Sequence, residues 1–173
     1  MRERPNAVTM RGKPLTLVGR EIKVGDKAPD FEVIDTGLSP VKLSSYAGRI
    51  VVIISVPSLD TPVCDLETRK FNKEAAQLSE QVIVLAISMD LPFAQKRWCG
   101  SAEISHVTAL SDHREASFGL AYGLLIKEVR LLARTVIVID RGGVIRYLEL
   151  VKEIASEPDY DAALKAINEC VAE

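Results

Sequence analysis

Long apolar runs, histidine, cysteine and an excess of charge of either sign are all scarce in this sequence, and each scarcity removes a class of function. No apolar stretch approaches the roughly 18–20 residues that a membrane-spanning helix needs. Lys and Arg number 22 against 24 Asp and Glu, a formal charge of −2. That balance supplies no electrostatic reason to bind nucleic acid or an anionic membrane. The two histidines, His106 and His113, cannot complete a three- or four-ligand zinc site without distant help, so neither a metal nor another cofactor is expected. Met1-Arg2-Glu3-Arg4-Pro5 mixes an acid among its bases, and no long apolar segment follows it. It does not read as a signal peptide, and the expected location is cytoplasmic. Three cysteines are too few for a disulfide scaffold and cannot all pair within one chain. In a reducing compartment a cysteine pair is more often catalytic, redox-active or metal-binding than structural.

What is present is an ordinary globular mixture, 47% apolar and 27% charged, expected to form a single domain over residues 1–173. Val8–Met10 and Leu15–Val18, turned at Gly12-Lys13-Pro14, predict an N-terminal hairpin at about 8–18. A short strand is expected near Phe31–Ile34. Ile50–Val56 is a continuous apolar, largely β-branched run, which suits the middle of a sheet covered on both sides. A helix follows from about Cys64 to Leu78, with Phe71, Ala75 and Leu78 at helical spacing. Then come strand Val82–Ser88, a short helix Pro92–Trp98 and strand His106–Leu110. Asp112-His113-Arg114-Glu115 has the form of a capping box ahead of a helix to about Tyr122. Strands Arg134–Asp140 and Val144–Leu150 join through the turn Arg141-Gly142-Gly143. Pro158-Asp159 opens a last helix, with Leu164, Ile167 and Val171 on its apolar face. The alternation predicts an α/β fold, a mixed sheet flanked by helices on both faces. There are no repeats and no linker, and Gly142-Gly143 is no phosphate loop because no helix follows it.

The chemistry concentrates at Ser55-Val56-Pro57-Ser58-Leu59-Asp60-Thr61-Pro62-Val63-Cys64. A buried strand ends, a loop with two prolines follows, and a cysteine opens the next helix, at the strand edge where α/β sheets bind ligands. A thiol there meets the positive end of the helix dipole and free backbone N–H groups, and both favour the nucleophilic thiolate. Thr61 can turn its hydroxyl toward the sulfur or toward a substrate oxygen. A lone cysteine more often merely packs, but strand end, proline-rich loop, threonine and helix start together favour the reactive reading. Cys170, beside Ile167 and outside any motif, is expected to be inert. A thioredoxin-like disulfide reductase is disfavoured, because Cys64-Asp65-Leu66-Glu67 lacks the second thiol of Cys-x-x-Cys.

Pro57-x-x-x-Thr61-x-x-Cys64 matches the active-site signature of peroxiredoxins, and other segments resemble one branch of that family, the atypical two-Cys thiol peroxidases. Val24-Gly25-Asp26-Lys27-Ala28-Pro29-Asp30-Phe31 is similar to the segment before their first core strand. Met89 to Gly100 resembles their resolving-cysteine segment, with Met89 and Trp98 as mild departures. Leu131 to Asp140 resembles their arginine-bearing strand. The four segments stand in the family's order, and the likeness runs from about residue 8 to the C-terminus.

The resemblance implies a thioredoxin-like fold and a role for each matched residue. Cys64 would be the peroxidatic thiol, attacking the terminal peroxide oxygen and becoming a sulfenic acid. Thr61 and Arg134 would orient the peroxide and stabilise the leaving oxygen, with Pro57 and Pro62 shaping the pocket. Arg134 also makes independent sense, since a guanidinium keeps its charge at any working pH and favours a nearby thiolate. Cys99 would be the resolving thiol, condensing with the sulfenic acid into an intrachain disulfide. A disulfide needs Cα atoms about 4.4–6.8 Å apart, so cysteines on two intact helices would have to unwind locally. Hydrogen peroxide or organic hydroperoxides as substrate, thioredoxin as reductant and a homodimer are implied in the same way. A non-catalytic redox sensor using the same cysteine pair is the alternative.

Overall fold

Burial of Ile50–Ser55 on both faces places it at the centre of a sheet, and every residue of it is buried. The computed structural model describes residues 1–173. Its strands are β1 (Glu3–Met10), β2 (Lys13–Val18), β3 (Glu32–Ile34), β4 (Pro40–Lys42), β5 (Ile50–Ser55), β6 (Val82–Ser88), β7 (Thr108–Ser111), β8 (Leu125–Ile126), β9 (Thr135–Ile139) and β10 (Ile145–Leu150). Its α-helices are α1 (Pro62–Ala75), α2 (Pro92–Ser101), α3 (Ser117–Tyr122) and α4 (Tyr160–Ala172). Seven strands form one sheet in the order β10-β9-β5-β6-β7-β3-β4, and β1, β2 and β8 form a small second sheet. Parallel pairing of β5 with β6 and of β6 with β7 is joined by crossover helices, whereas β9 runs antiparallel to β5.

The period-two alternation of strand side chains sorts the core into two layers. Ile50, Val52 and Ile54 of β5 face Phe71 of α1 and Ala163 and Ile167 of α4. Val51 and Ile53 face Phe31, Phe118 and Tyr122 on the other side. Ala109, paired with Ala86, packs with Trp98 of α2 and with Ala102 just past its end, so α2 joins α1 and α4 on one face and α3 stands on the other. Residues of the hairpin, Val8, Leu15 and Leu17, close a separate cluster with Ala133 and Ile154. No helix is long and apolar enough to cross a membrane.

Several expected boundaries move. The hairpin begins at Glu3, and its turn falls at Arg11-Gly12, leaving Lys13 and Pro14 in the strand. The second helix runs on to Ser101 and takes Cys99 into its interior. The Asp112–Glu115 segment is no capping box on a contiguous helix. Ala116 is left-handed, α3 starts only at Ser117, and the Asp112 carboxylate reaches forward to accept from the backbone N–H groups of Phe118 and Gly119. In the last helix Asp159 caps the N-terminus through Ala162 N–H. Its buried stripe is Ala163, Ala166, Ile167 and Cys170, with Leu164 and Val171 half-buried.

Candidate active site

The site grows out of the register of the central sheet. Ser55, the last residue of β5, pairs with Thr135, the first of β9. The Ser55 hydroxyl contacts the Thr135 hydroxyl and donates to the Ala133 carbonyl at 2.8 Å. Arg134, between those two partners, is thereby fixed across from the exit of β5. The chain leaves β5 through Val56 and the buried Pro57 and enters α1 at Pro62, where a proline suits a first helical position whose N–H has no partner. Cys64 is the third residue of the helix rather than its opening one, and it is fully buried.

Arg134 is buried as well, at 1% exposure, so it is not a solvated charge at a strand end. Its guanidinium is divided among three acceptors. Nε donates to the Ile154 carbonyl at 2.9 Å, Nη1 to the Glu67 carboxylate, and Nη2 to Cys64 Sγ at 3.2 Å. Sequence reasoning missed Glu67, although its position three residues after Cys64 puts both on one helix face. Burial pushes its carboxyl up to about 7, against the opposing pull of Arg134.

The loop before α1 is tied to the next unit of the sheet. Asp90, between β6 and α2, accepts from the Ser58 hydroxyl at 2.7 Å, from Leu59 N–H at 2.8 Å and from the Ser88 hydroxyl at 2.7 Å. The Thr61 hydroxyl donates to the Ser58 carbonyl at 3.0 Å and so stays with the loop rather than the sulfur. Pro62 is exposed at the rim.

Cys99 lies on α2, half-buried, and burial pushes its thiol pKa up. It packs against the same apolar cluster as Cys64, with Val56, Leu59, Trp98 and Ala102, and all three cysteines are unbonded. A link between the helices runs through the neighbours of the two thiols. Trp98 Nε1 donates to Asp65 at 2.8 Å, Arg69 pairs with Asp65 at 2.9 Å, and Arg69 reaches the Ala102 carbonyl at 3.3 Å. Cys170 is buried in the core beneath α4, away from both. A cleft of about 350 Å³ opens beside Lys27, Tyr46, Arg49 and Gly143. It lies against Val51 and Ile139, the opposite end of β5 and β9 from Cys64, and contains no thiol.

A thioredoxin-like sheet with a buried thiol set against a guanidinium at the strand ends defines a class, the thiol-based redox proteins. Comparison with known proteins narrows it. The Redoxin family profile matches residues 23–164. The thiol peroxidase of Halalkalibacterium halodurans is 53% identical over 160 residues, covering 92% of this chain and 96% of that protein. The thiol peroxidase of Bacillus subtilis is 51% identical over 159 residues, 92% of this chain and 95% of that one. A peroxiredoxin-like protein from Aquifex aeolicus superposes with a TM-score of 0.90 at 46% identity, covering 95% of this chain and 97% of that one. The thiol peroxidase from Chromobacterium violaceum, at 22% identity and a TM-score of 0.83, shares the fold over 94% of this chain and 95% of its own. The chain belongs to the redoxin family and, within it, to the thiol peroxidases.

Proposed function

We infer that the protein is a thiol peroxidase, an oxidoreductase that reduces hydrogen peroxide and organic hydroperoxides through Cys64 and Cys99. The observation that carries the assignment of Cys64 is the 3.2 Å contact from Arg134 Nη2 to its sulfur in a fully buried setting. A fixed positive charge and the N-terminal turn of α1 act on one atom, and both favour the thiolate.

The thiolate attacks the terminal peroxide oxygen, and the O–O bond breaks as the S–O bond forms. Sulfur is oxidised by two electrons to a sulfenic acid, while hydroxide or an alkoxide leaves and takes up a proton. Arg134 faces the developing charge, and Thr61, released from Ser58, orients the peroxide at the mouth shaped by Pro57 and Pro62. The Cys99 thiol then attacks the sulfenic sulfur, water leaves, and an intrachain disulfide forms. Thioredoxin returns both thiols to the reduced state by dithiol exchange. In this reading residues 1–173 act as one domain, the protein is cytoplasmic, and it works as a homodimer without a cofactor.

Peroxide-dependent NADPH oxidation with thioredoxin and thioredoxin reductase tests the whole cycle. Many turnovers per protein are expected. Consumption of a single equivalent that then stops would instead mark a redox sensor.

A further inference from the structure

Glu67 is the one part of the buried cluster that the reaction above leaves unused. It is fully buried on the same face of α1 as Cys64. One carboxylate oxygen, Oε2, meets Arg134 Nη1, while Oε1 has no hydrogen-bond partner at all. Arg134 therefore serves two acids from adjacent turns of one helix, with a single positive charge between them. The other charged groups facing Glu67 make a second negative charge harder to hold. They are Glu149 on β10 and Glu157 ahead of α4, with the Tyr160 phenol of α4 beside them. A carboxylate and a thiolate together would leave the cluster with net negative charge out of reach of water, which is strongly disfavoured.

We propose that Glu67 is a positioning residue that holds the proton Cys64 gives up, so that the buried triad carries one negative charge against Arg134 and never two. This rests on the reading of Cys64 as the attacking sulfur. The step is a proton transfer without change of oxidation state. The S–H bond of Cys64 breaks, an O–H bond forms on Glu67, and Arg134 stays charged throughout. The free Oε1 is the oxygen available to carry the proton, and the upward displacement of this carboxyl by burial agrees with it. Two acids coupled in this way titrate as a pair rather than as separate residues. Because a protonated carboxyl and a glutamine amide are both neutral, Glu67→Gln leaves the charge balance of the thiolate state unchanged.

The test uses full-length protein carrying Cys99→Ser and Cys170→Ser, so that Cys64 is the one remaining thiol. Its ionisation is followed by thiolate ultraviolet absorbance and by the pH dependence of iodoacetamide alkylation. Glu67→Gln, which mimics the protonated carboxyl, should leave the thiolate fraction within about threefold of the parent, well inside a one-unit shift. In parallel, infrared spectra of the reduced protein at pH 7 should show a protonated-carboxyl band that Glu67→Gln removes. Cys64→Ser should also remove it, because Glu67 then has Arg134 to itself. The infrared comparison of the parent with Cys64→Ser decides the matter even if Glu67→Gln does not fold. A thiolate fraction changed about tenfold in folded Glu67→Gln, the mark of a Glu67 that stays ionised beside the sulfur, or no protonated-carboxyl band in the reduced parent, would overturn the proposal. Absence of a trappable sulfenic acid on Cys64 after peroxide addition overturns the nucleophile assignment itself, and the proposal falls with it.

Discussion

The two helices that carry Cys64 and Cys99 are built to one plan and differ in where the thiol falls. Each follows a parallel strand of the central sheet, β5 before α1 and β6 before α2. Both begin with proline, Pro62 or Pro92, after an extended N-cap, Thr61 or Leu91, that makes no side-chain cap. In α1 the cysteine is the third residue, where backbone N–H groups are free and Arg134 reaches the sulfur. In α2 it is the eighth of ten, on the carbonyl-rich half of the helix, with no arginine bonded to it and burial pushing its thiol up. One strand–loop–helix unit thus sets its thiol beside free N–H groups and an arginine, or beside carbonyls and no arginine, depending on its phase along the helix. The proposed division of labour, with Cys64 attacking and Cys99 resolving, rests on that phase.

Deleting each sulfur in turn breaks the comparison most sharply. Cys64→Ser should abolish peroxide reduction with any reductant, because nothing in α2 supplies the setting that α1 gives its thiol. Cys99→Ser should keep the first step, consuming one equivalent of peroxide and accumulating a dimedone-trappable sulfenic acid. Substantial turnover by Cys64→Ser would mean that the helix position does not matter. One equivalent of peroxide added to the unsubstituted protein should give a Cys64–Cys99 disulfide within one chain and leave Cys170 free. Peptide mapping without reductant checks this, and a dominant link to Cys170 would remove Cys99 from the resolving role.

Next in size is the charge that distinguishes the two ends. Arg134→Met should slow the peroxide step roughly a hundredfold, as loss of a buried electrostatic partner commonly does. The buried pairing with Glu67 adds a consequence that the sequence alone did not suggest, a substantial loss of stability. Stranding one member of a buried pair costs about 3–5 kcal/mol. Glu67 can escape the cost by taking up a proton, so denaturant unfolding should show a smaller loss at pH 5 than at pH 8. The same reasoning fixes a sign for the unsubstituted protein. With its carboxyl raised from 4.5 to about 7, Glu67 binds its proton more tightly folded than unfolded. Its contribution to stability is complete below pH 4.5 and fades as pH rises through about 7. Glu67→Gln should flatten that part of the stability profile, and an unchanged slope would assign it to other groups.

How much of this was readable from the chain depends on the range of the forces involved. Ile50–Ser55 and Val82–Ser88 announce themselves because a strand buried on both faces must be apolar at every position. The starts of α1, α2 and α4 are marked locally by Pro62, Pro92 and Asp159. The segments β4 and β8 are three and two residues long and exist only because neighbours pair with them, so no periodicity could reveal them. Asp112 looked like an N-cap at capping-box spacing, but the left-handed Ala116 delays the helix, and the carboxylate caps from farther back. Sequence and family likeness both singled out Arg134 as a fixed charge, but its burial beside Cys64 was not legible, since that follows from the Ser55–Thr135 register. Glu67 had one local signal, its spacing from Cys64, and nothing in the sequence said that the face would be dry.

The smallest expected effect concerns the tie between the two helices. Asp65 and Trp98 stand next to Cys64 and Cys99 in sequence, and they bond to each other at 2.8 Å while Arg69 braces Asp65 and the end of α2. In the proposed cycle, joining the sulfurs opens the first turn of α1 and the last turns of α2, and this bond is among those that break before the disulfide forms. Trp98→Phe keeps the ring in its cluster and removes only the donor. A partly exposed hydrogen bond of this kind contributes about 1 kcal/mol, so disulfide formation after the sulfenic acid appears should run about fivefold faster, as rapid mixing would show. Faster closure leaves the sulfenic acid less time to be oxidised to sulfinic acid, and the variant should withstand higher peroxide concentrations. Amide exchange carries the same comparison to the backbone. On oxidation it should rise across Thr61–Arg69 and Phe93–Gly100 while β5 and β9 stay protected, as expected for helix ends of low local stability. Unchanged exchange in both segments, together with an unaltered closing rate in Trp98→Phe, would mean that the two thiols meet without unwinding either helix.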